Sequence, residues 1–248
     1  DWEQDADNYA RLGYKVDVFR YDDHSDTDYE SHFLTAGAGY KSPQGFYASL
    51  NNLFLDTEDP YSSNNDYRLG EQTKRWRNNL RLHAGYEFSP LTRLEFSYRN
   101  RILDYDEFED EWQNRLSHEP GVAFYYRIMP KTAAFVEYRF ETTEYTEQDD
   151  LEDNNRGAYS DNAQDYEYHK GYVGLTWDAT AKINGELKFG YGYKEYDNDV
   201  SFRTNEHGDS IEYDDVSTWI AETRLTYAMS LKTAFDARVL RETFDSPS

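Results

Sequence analysis

The chain has 248 residues, a formal charge of -23 and a mean hydropathy of -1.02, yet 17% of it is aromatic, with 24 tyrosines. Charge and hydropathy alone would describe a disordered chain, but disordered chains are poor in aromatic residues, so these rings need burial or shelter. The lack of cysteine excludes disulfides and thiolate metal sites, and the acidic balance argues against nucleic acid as a partner. No apolar run approaches the roughly 18 residues of a transmembrane helix.

Residues 1–8, "DWEQDADN", lack the basic start and apolar centre of a signal peptide, so an exported protein would be seen here in its mature form. From there, alternating segments predict strands over 9–21, 31–41, 45–56, 74–88, 91–105, 114–128, 132–145, 165–177, 181–196, 216–229 and 231–243. No segment has a helical period and no shift in composition marks a boundary, which predicts a single domain over 1–248.

The connections alternate in kind. Short ones read "KSPQG" (41–45), "SPLTR" (89–93), "MPKT" (129–132), "DATAK" (178–182) and "AMSLK" (228–232), three of them with the turn residue proline. Between them lie long acidic connections: 21–30, 56–73, 104–113, 144–165 and 195–215. The result is a hairpin repeat of roughly 40–50 residues. A propeller blade of that period would need about four short strands, whereas each repeat holds two long ones.

Within each strand one face is apolar and the other charged. In 74–88, Trp76, Leu80, Leu82, Ala84, Tyr86 and Phe88 oppose Arg75, Arg77, Asn79, Arg81, His83 and Glu87. In 91–105, Leu94, Phe96, Tyr98 and Ile102 oppose Arg93, Glu95, Arg99 and Arg101. "KINGELKFGYGYKEYDND" (182–199) sets Leu187, Phe189 and Tyr191 against Glu186, Lys188 and Lys194, with Gly190 and Gly192 on the charged side.

A soluble sandwich alternates as well. Here, however, the apolar stripes run about 9–11 residues, the length that crosses a bilayer when tilted, and aromatic residues gather at their ends (Tyr40, Trp76, Tyr86, Phe88, Trp177, Tyr227). The charged face suits a crowded wet interior, and only a closed barrel satisfies every backbone group in lipid. The predicted fold is all-β, a transmembrane antiparallel up-and-down β-barrel with short turns at one end and long loops at the other. Such barrels have even strand numbers, and eleven segments are visible. At least twelve strands are therefore expected, with the chain incomplete beyond "RETFDSPS".

"YVGLTWDATAKINGELKFGYGYKEYDND" followed by "TWIAETRLTYAMSLKTAFDARVLRETFDS" resembles the outer-membrane β-barrel porin family that includes barrels of exopolysaccharide-operon type. The similar elements are a W-x-A-T-A-K turn, a G-x-L-K-x-G-Y strand and a "T-Y-x-x-S-x-K-T" turn leading to "R-E-T", within Tyr172 to Ser248. The resemblance implies a Gram-negative outer-membrane barrel, longer than this chain in most members, that serves solute passage or polysaccharide export. Its implied surroundings are outer-membrane lipid and lipopolysaccharide.

Parity places Arg75, Arg77, Arg81, Arg93, Arg99, Arg101, Arg127, Arg139, Lys188 and Arg224 on the inner face, together with Arg11, Lys15, Lys194, Lys232 and Arg238. Acids including Glu87, Glu95, Glu137, Glu141 and Glu222 share it, so the lumen is mildly basic in a strongly acidic molecule. One reading is a path for anionic solutes such as acidic saccharides, with arginine forks meeting carboxylates. The other is a barrel plugged by Arg–Glu pairs that acts as a structural or surface-interaction protein through its loops. The acidic loops offer carboxylates to divalent cations such as calcium, but none fits a calcium-loop motif, so no cofactor or metal ligand set is predicted. His24, His32, His83, His118, His169 and His207 stand in no catalytic motif, and a non-enzymatic protein is expected. His83 is expected inside the barrel, towards the short-turn end.

Overall fold

A computed structural model describes residues 2–3, 8–22, 28–58, 73–106, 113–146, 165–180, 183–197, 200–204, 210–212, 214–230 and 233–243. The eleven long predicted segments all form strands: β2 (Tyr9–Phe19), β3 (Tyr29–Lys41), β4 (Phe46–Thr57), β5 (Arg75–Ser89), β6 (Thr92–Tyr105), β7 (Arg115–Met129), β8 (Thr132–Tyr145), β9 (Tyr166–Thr180), β10 (Ile183–Tyr196), β13 (Val216–Ser230) and β14 (Thr233–Arg241). Three short strands were not foreseen. One is β1 (Trp2–Glu3), and β11 (Val200–Thr204) and β12 (Ser210–Glu212) pair as a hairpin inside the 195–215 connection.

All other strands form one antiparallel sheet in chain order, β1 through β10, then β13 and β14. At the start of the chain β1 adds two residues that pair with Tyr9 and Ala10, so the described residues hold eleven long strands and not the expected twelfth. The order is linear: no ladder among the described residues joins β14 to β1 or β2, so a closed ring is not formed.

Local chemistry fixes the short turns. Ser89 Oγ accepts from the backbone N–H of Leu91 and of Thr92 at 3.1 Å, and lies 2.8 Å from Thr92 Oγ1. The Met129–Thr132 turn repeats the same register shift around Pro130. In the first turn, Gly45 adopts φ +93°, a conformation that disfavours any side chain.

The cross-strand registers sort the side chains as parity predicts, with the charged face buried and the apolar face exposed. Phe189, Tyr191 and Val173 are 56%, 58% and 59% exposed on one face, while Lys170 and Lys194 on the other are 3% and 1% exposed. Side chains on the charged face also meet across an intervening strand, as Tyr47 of β4 meets Glu95 of β6 and Lys188 of β10 meets Glu137 of β8. The sheet therefore curls around its charged face, leaving the apolar face convex.

Glycines make room for rings on the concave side. A Cβ at Gly192 would lie 2.6 Å from the Tyr168 hydroxyl oxygen, and at Gly190 it would run into the Gly171 carbonyl. Gly171 itself points outward, with nothing within 4 Å of such an atom. Gly192→Leu is expected to cost about 1–3 kcal/mol through overpacking, whereas Gly171→Ala is tolerated. Thermal denaturation of the two variants in detergent checks this; equal stability would show that the Tyr168 ring moves freely.

Candidate solute path on the concave face

The concave face divides into a braced part and a bare part. On β6 to β10 and β13, cations and carboxylates are interlocked. Lys170 is the hub: its Nζ lies 2.8 Å from Glu119, 2.6 Å from Glu141 and 2.6 Å from Glu242, which follows β14. Arg101 pairs with the same Glu141, and Arg99 approaches Glu119 at 3.5 Å. A second cluster joins Arg139 to Glu137 at 2.6 Å and Lys188 to Glu137 and Glu186 at 2.9 and 3.0 Å. Glu222 accepts from Arg238 at 3.1 Å and closes that cluster from β13.

Rings line this part as well. Lys194 Nζ sits 3.5 Å from the Tyr166 ring centre, Lys170 Nζ 4.6 Å from that of Tyr168, and the Arg139 guanidinium 5.5 Å from that of Tyr172. Such contacts add to the stabilisation of a desolvated cation. Lys170, its partner Glu119, and the inward rings of Tyr125, Phe135, Tyr168 and Tyr172 were not foreseen from the sequence. Their parity matched the arginines throughout, and that was the available signal.

The bare part is Arg77 and Arg81 of β5. Arg75, Arg77 and Arg81 follow one another up a single strand on the concave side, and Arg81 stands directly opposite Arg99 of β6. Arg75 donates to the Thr73 carbonyl at 2.9 Å. Among the described residues, Arg77 and Arg81 have no carboxylate within ion-pair distance, and Arg224 of β13 has none either. Asn79 lies between Arg77 and Arg81, and Asn51 of β4 opposes Arg81 and accepts from Arg11 at 2.9 Å.

At the short-turn end, Glu95 gathers three partners. The Tyr47 hydroxyl donates to it at 2.5 Å, Arg93 lies at 2.9 Å and His83 Nε2 at 3.2 Å. They border a recess of about 400 Å³ that also meets Tyr9 and Glu87. His83 therefore sits on the concave face at the short-turn end. Arg127 is exposed beside its turn on the same face, and Lys232 lies outside the described residues. At the opposite mouth Lys74 hydrogen-bonds Asp106 at 2.9 Å, which holds its ammonium above the usual lysine range.

Most of the acidic stretch 144–165 proposed for cations, and also His24 and His207, lie outside the described residues. Among the described residues no group of three or more His, Asp or Glu is arranged to hold a metal ion. Among the described residues no helix is long and apolar enough to cross a membrane. A scan against protein-family models and a search of curated proteins both return no match.

Proposed function

We propose that this chain forms the wall of a bacterial outer-membrane β-barrel whose cationic inner face conducts anionic solutes, acidic saccharides among them. The observation that carries this reading is the inverted polarity of the sheet. Large apolar side chains cover the convex face while lysines and glutamates are buried on the concave one. In water that arrangement exposes far more contiguous apolar surface than a soluble monomer tolerates. In lipid it is the expected arrangement, once the two edges of the sheet are paired.

Val173, 59% exposed in the middle of the convex face, tests the environment directly. At an exposed site in water, Val173→Arg would be close to neutral. At mid-bilayer it costs about 2–4 kcal/mol. The variant is expected to fold poorly into vesicles, as read by heat-dependent gel mobility; insertion at the wild-type yield would remove the membrane reading.

The bare column of Arg77 and Arg81 supports passage, because forked donors with no carboxylate partner among the described residues are available to a carboxylate or sulfate. A second reading, a plugged structural barrel, is favoured by a different observation: the Lys170 hub spans β7, β8, β9 and the residue after β14 with every charge compensated. Planar-bilayer recording separates the two. Steady anion-selective conductance supports the path, and a silent bilayer supports the plug.

A further inference from the structure

The convex face carries a repeated pair of rings at each long-connection hairpin. Tyr14 and His32 stack at 6.1 Å, Tyr98 and His118 at 6.0 Å, and Tyr138 and His169 at 6.2 Å. Phe54 with Trp76 and Phe189 with Trp219 repeat the arrangement at 5.8 and 5.9 Å. Each pair is diagonal across its ladder: Tyr98 faces Pro120, two residues beyond His118, and Phe189 faces Ala221, two residues beyond Trp219. In β3, β7, β9 and β13 the ring is the fourth residue of the strand.

In the three histidine pairs the Tyr hydroxyl lies 2.6–2.7 Å from Nδ1, so each polar tip satisfies the other. That hydrogen bond lets a histidine occupy the position that tryptophan fills in β13 and β5. Just towards the long connections the same face turns acidic, with Glu30, Asp56, Asp104 and Glu167. Carboxylates at that level need water, so the apolar environment must end at the ring pairs.

A second set of rings stands at a fixed distance. Four strands repeat one spacing: His32 to Tyr40, His118 to Tyr126, His169 to Trp177 and Trp219 to Tyr227 are each eight residues apart. In β5 the spacing from Trp76 to Tyr86 is ten. Eight residues rise about 26 Å along a strand, which at the usual tilt of transmembrane strands projects to about 20 Å.

We propose that these two ring sets are interfacial belts, that the Tyr–His pairs form the one on the loop side, and that the partner of the convex face is a bilayer with a hydrocarbon core of about 20 Å. This rests on the membrane reading above and adds a thickness and named boundary residues to it. Rings with a polar tip favour the headgroup level, where the body meets acyl chains and the tip meets water. A thicker core would draw the acidic positions of the loop side into hydrocarbon.

Two measurements test it together. Folding yield in phosphatidylcholine vesicles, from decanoyl to oleoyl chains, is expected to peak at the lauroyl lipid and fall as the chains lengthen. A peak at the long chains, or a flat profile, overturns the thickness. Since the chain has no cysteine, single spin labels at His118→Cys, Val122→Cys and Tyr126→Cys report depth without background. Val122 lies midway between the two ring positions on the same face of β7, opposite Phe96. The expected result is Val122 deep in lipid and the other two at opposite boundaries. With Val122 in lipid but either ring position equally deep, the belts fail while the membrane reading stands. An aqueous signal from Val122 overturns both.

Discussion

Replacing Lys170 with methionine is expected to produce the largest loss of stability of any single substitution on the concave face. The lysine is 3% exposed and holds Glu119, Glu141 and Glu242 within 2.8 Å. Removing it leaves Glu119 beside Arg99, Glu141 beside Arg101 and the Tyr166 hydroxyl, and Glu242 without its lysine. Breaking one partner out of a buried ion pair costs about 3–5 kcal/mol, because the charge left behind keeps its desolvation penalty. The measurement is thermal unfolding in detergent by loss of heat-resistant gel mobility, with a marked fall expected. Adding Glu242→Gln should recover part of that loss, since one of the stranded charges disappears with it. A single variant as stable as the parent would mean that water enters and screens the hub.

Replacing Arg77 and Arg81 together with serine is expected to abolish most anion preference while leaving the fold unchanged. Neither guanidinium has a carboxylate partner among the described residues, so their removal strands no opposite charge. Reversal potential in a salt gradient across a planar bilayer gives the selectivity directly. Removing Arg99 and Arg101 should behave differently, because these two compensate Glu119 and Glu141 of the hub. That double variant should lose stability. Unaltered selectivity in the Arg77/Arg81 variant, with conductance intact, would show that the solute path avoids the column.

Period-two alternation made the fold legible because each strand must choose a face for every residue, and one inversion would have broken the stripe. It placed Arg75, Arg99 and Lys188 on their observed face for that reason. It could not say which of them are neutralised, since pairing depends on residues one and two strands away. Arg101 reaching Glu141 over β7 is an example. Lys170 escaped because its immediate neighbours His169 and Gly171 give no contrast of charge against apolar residue. Tyrosine blurred the pattern further: its ring is as suited to the convex belts, at Tyr126, as to covering Lys194 within the concavity, at Tyr166. The histidine pairs were invisible for a related reason. A histidine on an apolar stripe reads as an interruption until the tyrosine beside it across the ladder is known.

The bridges that skip a strand have a consequence for assembly. A contact such as Tyr47 to Glu95 or Arg101 to Glu141 cannot exist while only one hairpin is present, because it needs the strand between and the strand beyond. Backbone ladders can grow with each arriving strand, and each such fastener closes when the strand two places further on arrives. A lone hairpin has none of them, whereas every strand from the third onwards can be tied at once to the strand two before it.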